Sequence, residues 1–202
     1  MAGGEIAVLI PAAGFARRMR GADKLLEPVA GEAILHRQAR IAAEAGAARV
    51  IVTLPAGGGA RASALAGLDV VMVEVPEAGE GMAASIRAGV AAAEGAAGLM
   101  ILLADLPELE AADLERLMAA WRADGARPIL RACSDAGRPG HPVIFPADLF
   151  GELARLSGDT GPRPVIAAHG ERLREVALPG ARAVTDLDTP EDWAAWRART
   201  GL

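Results

Sequence analysis

The stretch Ile6-Ala7-Val8-Leu9-Ile10-Pro11-Ala12-Ala13-Gly14-Phe15-Ala16-Arg17-Arg18-Met19-Arg20-Gly21-Ala22-Asp23-Lys24 joins a short apolar run to a loop carrying three arginines and a lysine. Five aliphatic residues without a polar gap predict a strand over Ile6 to Ile10, and open α/β sheets build their sites in the crevice at such strand ends. Gly14 lets a ligand approach the main chain, and successive N–H groups can cradle an anion. Arg17 and Arg18 can fork onto phosphate oxygens, while Lys24 brings a mobile charge. The plainer alternative on spacing alone is a solvated basic turn. The stretch lacks both the G-x-x-x-x-G-K-[ST] and the G-x-G-x-x-G patterns, so neither a Walker-type hydrolase nor a dinucleotide-binding dehydrogenase is supported.

Further apolar runs follow at Arg49 to Leu54, Val70 to Val75 and Leu99 to Leu103, alternating with helical periodicity at Ala33 to Ala45, Met82 to Ala93 and Ala111 to Trp121. That alternation predicts an α/β chain whose parallel sheet is covered on both faces. Gly46 stands where the first helix should be capped, and Pro55 to Gly67, with three successive glycines, reads as a loop and a short helix. Later elements are less regular. Pro128 to Cys133 and Val143 to Phe145 read as strands around a turn at Arg138-Pro139-Gly140-His141-Pro142. Pro146 to Leu156 and Pro164 to Ala168 read as helical, and Leu173 to Val176 and Ala183 to Leu187 as weaker strands. Thr189-Pro190-Glu191-Asp192 offers a hydroxyl N-cap, a proline at N1 and an acid at N3 for a last helix.

The 202 residues suit one domain, and 52% apolar with 23% charged residues is a globular composition. Only 3% of residues are aromatic, so the core is expected to be aliphatic and closely packed. A net charge of −5 argues against a nucleic-acid partner but leaves room for a local basic site that holds a small anion. The single cysteine, Cys133, excludes an internal disulfide, and three scattered histidines make a zinc site a poor expectation. No leader or long apolar run is evident, so the expected address is the cytoplasm, without a membrane partner.

Two carboxylate groups stand out. Asp105 follows the run Leu99 to Leu103, where a strand end can aim it into the same crevice as the basic loop, although a turn-forming aspartate is the simpler alternative. Asp186 and Asp188 alternate along what reads as an extended segment, so their side chains can share one direction while Leu187 faces the core.

The chain from Ala12-Ala13-Gly14 through Arg18-Met19, Gly21 and Lys24-Leu25-Leu26 resembles the MobA-like nucleotidyltransferases, and most nearly the molybdenum cofactor cytidylyltransferases. The likeness continues in Gly79-Glu80-Gly81-Met82-Ala83-Ala84-Ser85, Leu103-Ala104-Asp105-Leu106-Pro107, Gly140-His141-Pro142-Val143 and Asp186-Leu187-Asp188-Thr189-Pro190-Glu191-Asp192, nearly the whole length. Two residues depart from the usual pattern, Pro11 in place of an aliphatic residue and Ala16 in place of serine.

The resemblance implies a three-layer α/β/α Rossmann-like nucleotidyltransferase fold with a mostly parallel central sheet. It also implies a single domain over 1–202, in which 128–185 contributes an acceptor-binding subregion. CTP would be the donor, Mg²⁺ the cofactor and a phosphorylated pterin the acceptor. Arg18, Lys24 and Asp105 would be catalytic. Ala12, Ala13, Gly14, Arg17, Gly81, Met82 and Ser85 would lie at the nucleotide. Asp105 and Asp188 would hold the metal, with Asp186 the competitor for the second place, and His141 would meet the acceptor. Related guanylyltransferases carry a second glycine where this chain has Ala13, which favours cytosine. A transient contact with the enzyme or chaperone that receives the cofactor also follows. The alternatives are a nucleotidyltransferase for another small phosphate, the GTP-dependent guanylyltransferase, or a noncatalytic nucleotide-binding partner.

Overall fold

In the computed structural model, which describes residues 5–14 and 17–202, strand β1 (Ile6–Pro11) lies near the middle of a seven-stranded sheet. Its side chains alternate between two layers: Ile6, Val8 and Ile10 enter one apolar cluster, Ala7 and Leu9 another. A strand buried on both faces needs helices on both, which is why the run is uniformly aliphatic.

Strands β4 (Arg49–Pro55), β5 (Val71–Val75) and β6 (Gly98–Ile101) run parallel to β1, after a small antiparallel hairpin of β2 (Pro28–Val29) and β3 (Glu32–Ala33). Beyond β6 lie β8 (Pro139–Pro146), β7 (Ile129–Cys133) and β9 (Leu173–Ala177), giving the order β5-β4-β1-β6-β8-β7-β9. Within the seven-stranded sheet only β8 opposes its neighbours among the described strands; β7 and β9 pair in parallel.

One face is covered by α1 (Ile34–Glu44), by Leu65 just after α2 (Gly59–Ala64), and by α4 (Ala111–Ala123); α3 (Met82–Ala92), α5 (Phe150–Leu153) and α6 (Arg163–Ala168) cover the other. The result is the expected three-layer α/β/α sandwich around a mostly parallel sheet. Close packing rests on small residues: a Cβ on Gly89 of α3 would come within 2.4 Å of Leu9. Gly46, at φ +78°, ends α1; its N–H donates to the Ala43 carbonyl and that of Ala47 to Ala42, the paired bonds of a Schellman cap.

A third, smaller cluster joins α7 (Pro190–Thr200) to the site. Trp193 and Trp196 pack edge to face at 6.0 Å, enclosed with Met19, Val29, Ile34 and Leu187. Met19 follows Arg18 and Leu187 precedes Asp188, so this cluster anchors both the loop after β1 and the segment before α7. None of the described helices is long and apolar enough to cross a membrane.

Two local expectations are corrected. The turn predicted at Arg138 to Pro142 is the first half of β8, and the reversal comes earlier, at Ser134 to Gly137, where the Gly137 N–H donates to the Ser134 carbonyl. Ala183 to Leu187 is not a strand. It meets β8 through one hydrogen bond from the His141 N–H to the Ala183 carbonyl, and Gly140 is pressed so closely that a Cβ there would lie 2.0 Å from that oxygen. Extended pairing and glycine at a close approach look alike in a single sequence, since both place Gly and Pro in an otherwise apolar run.

Candidate active site

The loop after β1 begins at the crevice where the parallel strands end. Asp23 accepts from the Leu25 N–H at 3.1 Å and starts a 3₁₀ turn, Lys24–Leu26, that directs Lys24 inward. Its ammonium donates to Asp105 at 2.5 Å and to Asp188 at 2.7 Å, and Arg18 pairs with the other oxygen of Asp188 at 2.7 Å. Burial works to lower the Lys24 pKa and is the largest single influence, but the two carboxylates outweigh it and the ammonium is held above its ordinary value. Lys24 is therefore a cation between these two carboxylates.

Asp105 arrives from β6 through Leu102, whose N–H still donates to Leu9. The Gln38 amide of α1 donates to the Leu106 carbonyl at 2.7 Å and Arg37 to that of Leu109 at 2.7 Å, so buried polar groups brace the turn behind Asp105. The Leu187 N–H donates to the Asp105 carbonyl at 3.1 Å, which sets Asp188 beside Asp105 although 83 positions separate them.

Beside these charges opens a cavity of about 550 Å³ lined by Pro11, Gly14, Arg18, Lys24, Asp188 and the segment Ala78 to Met82, with Ser85, Gly158 and Asp159. Gly81, at φ +96°, allows the approach of Asp159, which accepts from the Met82 N–H at 3.1 Å at the start of α3. A Cβ on Gly81 would lie 2.8 Å from that carboxylate.

Of the residues singled out from sequence, Gly14, Arg18, Lys24, Gly81, Met82, Ser85 and Asp188 line this cavity. Ala12 and Ala13 are fully buried instead; Ala13 packs with Val75, Ala78 and Ala84 and so shapes the cavity wall from behind. Ala16 and the side chain of Arg17 lie outside the described residues.

A second cavity of about 350 Å³ is lined by Arg131, Arg138, Arg163, His141 and Asp186. Asp186 and Asp188 thus line different cavities, and the segment Ala183 to Leu187 is a turn up to Val184 with no strand beyond it. Leu187 is buried as expected. Burial lowers the His141 pKa, opposed in part by Asp105 and by a hydrogen bond with the Ile101 backbone, so the ring is neutral near pH 7; its Nδ1 is buried and unpartnered. His36 binds the Ala64 carbonyl at 2.8 Å and His169 binds Glu152 at 2.9 Å, both structural. Cys133 is buried in β7 with its thiol pKa raised by desolvation, which suits packing rather than nucleophilic attack.

Asp105 and Asp188 fit a divalent cation. Both reach a single nitrogen, and the buried Asp105 Oδ1 has no hydrogen-bond partner. Among the described residues no three His, Cys, Asp or Glu side chains gather around one point. Two carboxylates completed by phosphate oxygens and water is the habit of Mg²⁺ rather than of a metal enclosed by protein.

Sequence reading missed Asp159, Arg61 and the arginines of the second cavity. Asp159 sits in a Gly-rich connection and Arg61 in a short helix after three glycines, neither with a clear periodic signal, and the three arginines converge only through the fold.

The profile of the MobA-like NTP transferase domain matches residues 8–173. The crystal structure of Rv0371c from Mycobacterium tuberculosis H37Rv superposes at a TM-score of 0.83 with 30% identity, over 96% of this chain and 98% of that one. A structure of Rv0371c complexed with manganese gives 0.75 with 31% identity, over 95% and 97%. A nucleotidyl transferase from Methanothermobacter shares the fold at 0.77 with 24% identity, over 96% and 97%. No curated protein matches the sequence.

Proposed function

Since the chain belongs to the MobA-like NTP transferase family, we propose that it transfers CMP from CTP to the terminal phosphate of a molybdopterin-type acceptor and releases pyrophosphate. The observation that carries this reading is the Lys24 ammonium set between Asp105 and Asp188 at the mouth of the larger cavity. Asp105 and Asp188 would hold Mg²⁺, which when bound supplies charge neutralisation and orientation of the triphosphate; the manganese complex of Rv0371c supports a divalent ion of this kind.

Lys24 and Arg18 are placed to meet phosphate oxygens, and their charges act most strongly where negative charge builds up in the transition state. Gly14 and Gly81 keep the loops free of side chains where the nucleotide would approach. An acceptor phosphate oxygen forms the new bond to the α-phosphorus, the α–β bridging bond breaks, and its electron pair leaves on pyrophosphate. A phosphate monoester is already largely anionic near neutral pH, so no strong base is needed. Alignment of the two substrates and fixed charge carry the rate.

The buried Ala13 methyl packs against Ala78 and Ala84, and alanine in place of the second glycine of related guanylyltransferases supports CTP over GTP. The second cavity, with three guanidiniums and His141, supports a phosphorylated acceptor held by 128–185.

Pyrophosphate release measured with CTP, GTP, ATP and UTP, with and without molybdopterin and Mg²⁺, tests the reading. Acceptor-dependent release with CTP is expected. Release with GTP alone would make the chain a guanylyltransferase, and binding without turnover would make it a noncatalytic partner. Asp105→Ala should abolish release while the circular-dichroism spectrum stays that of a folded protein.

A further inference from the structure

We propose that Arg61 is the positioning residue of the phosphate loop, a single guanidinium that clasps both ends of the segment between Ala12 and Asp23; the inference rests on the nucleotide site described above. Arg61 projects from α2 and is buried, 7% exposed. Its Nε and Nη2 donate to the two oxygens of Asp23 at 2.6 and 2.9 Å, and its Nη1 donates to the carbonyls of Ala12 at 2.5 Å and Gly14 at 2.8 Å. Four of its five N–H groups are thereby committed to one loop.

The consequences reach the site from both ends. Asp23, held bidentately, is the residue whose carboxylate caps the turn that carries Lys24. At the other end, a trans peptide whose carbonyl turns toward the guanidinium directs its N–H the opposite way, so the clasp on the Ala12 carbonyl fixes the direction of the Ala13 N–H. Arg61 does not line the nucleotide cavity. It borders a separate hollow of about 270 Å³ with Asp23, Gly58 and Gly59, so it acts through the loop rather than on a ligand.

The glycine run makes the reach possible. Gly57, Gly58 and Gly59 all have positive φ, 77°, 60° and 56°, and a Cβ on Gly58 would fall 2.8 Å from that of Ala62. This tight turn sets α2 close enough for its arginine to pass under the loop.

Titration calorimetry of CTP with Mn²⁺ against the wild type, Arg61→Ala and Arg61→Lys tests the proposal, alongside KM values for both substrates. Both variants should bind nucleotide at least ~10-fold more weakly, because an ammonium cannot fork onto Asp23 and two carbonyls at once. The nucleotide KM should rise while the acceptor KM stays within about twofold, a split that general loosening of the fold would not give. Added guanidinium ion should restore binding to Arg61→Ala and not to Arg61→Lys, whose side chain fills the hollow. Should Arg61→Ala fail to fold, Arg61→Lys decides. Wild-type affinity in a folded variant overturns the clasp. A wild type that binds no nucleotide overturns the site reading, and the clasp with it.

Discussion

Lys24, Asp105 and Asp188 come from three distant segments, yet one nitrogen touches both carboxylates. Each residue was legible alone, as a cation in a basic loop or an acid after an apolar run, because a strand end is a predictable place for chemistry. Which of Asp186 and Asp188 joins them was not legible, since alternation alone cannot tell which of two acids on one side of a segment meets a distant residue. The structure places Asp188 with Lys24 and Asp186 in the second cavity. Asp188→Asn should therefore weaken Mn²⁺ binding at least ~10-fold, whereas Asp186→Asn should leave it nearly unchanged. Electron paramagnetic resonance of free Mn²⁺ during titration separates the two. Equal losses would show that the division between cavities does not govern metal binding.

The elements with strong local codes were read closely. The strands around β1 and helices α1, α3 and α4 fall within a residue or two of their apolar patterns. The last helix begins as its sequence dictates: the Asp192 N–H donates to the Thr189 hydroxyl at 3.2 Å, and the Asp192 carboxylate accepts from the Thr189 N–H at 2.9 Å. Thr189→Ala should lower stability by about 1 kcal/mol in urea unfolding. Trp193→Ala should cost more, about 3–5 kcal/mol, as a large buried ring leaves a cavity. It should also reduce turnover, because Met19 and Leu187 share that cluster and hold Arg18 and Asp188. Stability loss with unchanged kcat would break this link between packing and site. The elements misread, at Arg138 to Pro142 and Ala183 to Leu187, are those whose form depends on a partner segment far along the chain.

Across the whole molecule, a net charge of −5 surrounds Arg18 and Lys24 at the larger cavity and three arginines at the second, so attraction for an anion is local. The neutral, half-buried His141 has a counterpart in stability. Its folded pKa lies below the ordinary 6.5, so the unfolded chain takes up a proton more readily. Its contribution is complete above that ordinary value and is lost as pH falls from there through the lowered one. Thermal unfolding across this range should show that loss, and His141→Gln should flatten it; an identical slope in the variant would place the titration elsewhere. By itself the sequence determined the alternation of strand and helix, the two-sided burial of β1, both helix caps and the basic loop, because these depend on neighbours within a few residues. Only the tertiary structure decided that Asp188 rather than Asp186 meets Lys24, that three arginines share one cavity, and that Arg61 holds the loop. Most of those contacts join residues dozens of positions apart, and no local pattern encodes a distance that the packing of the two layers sets.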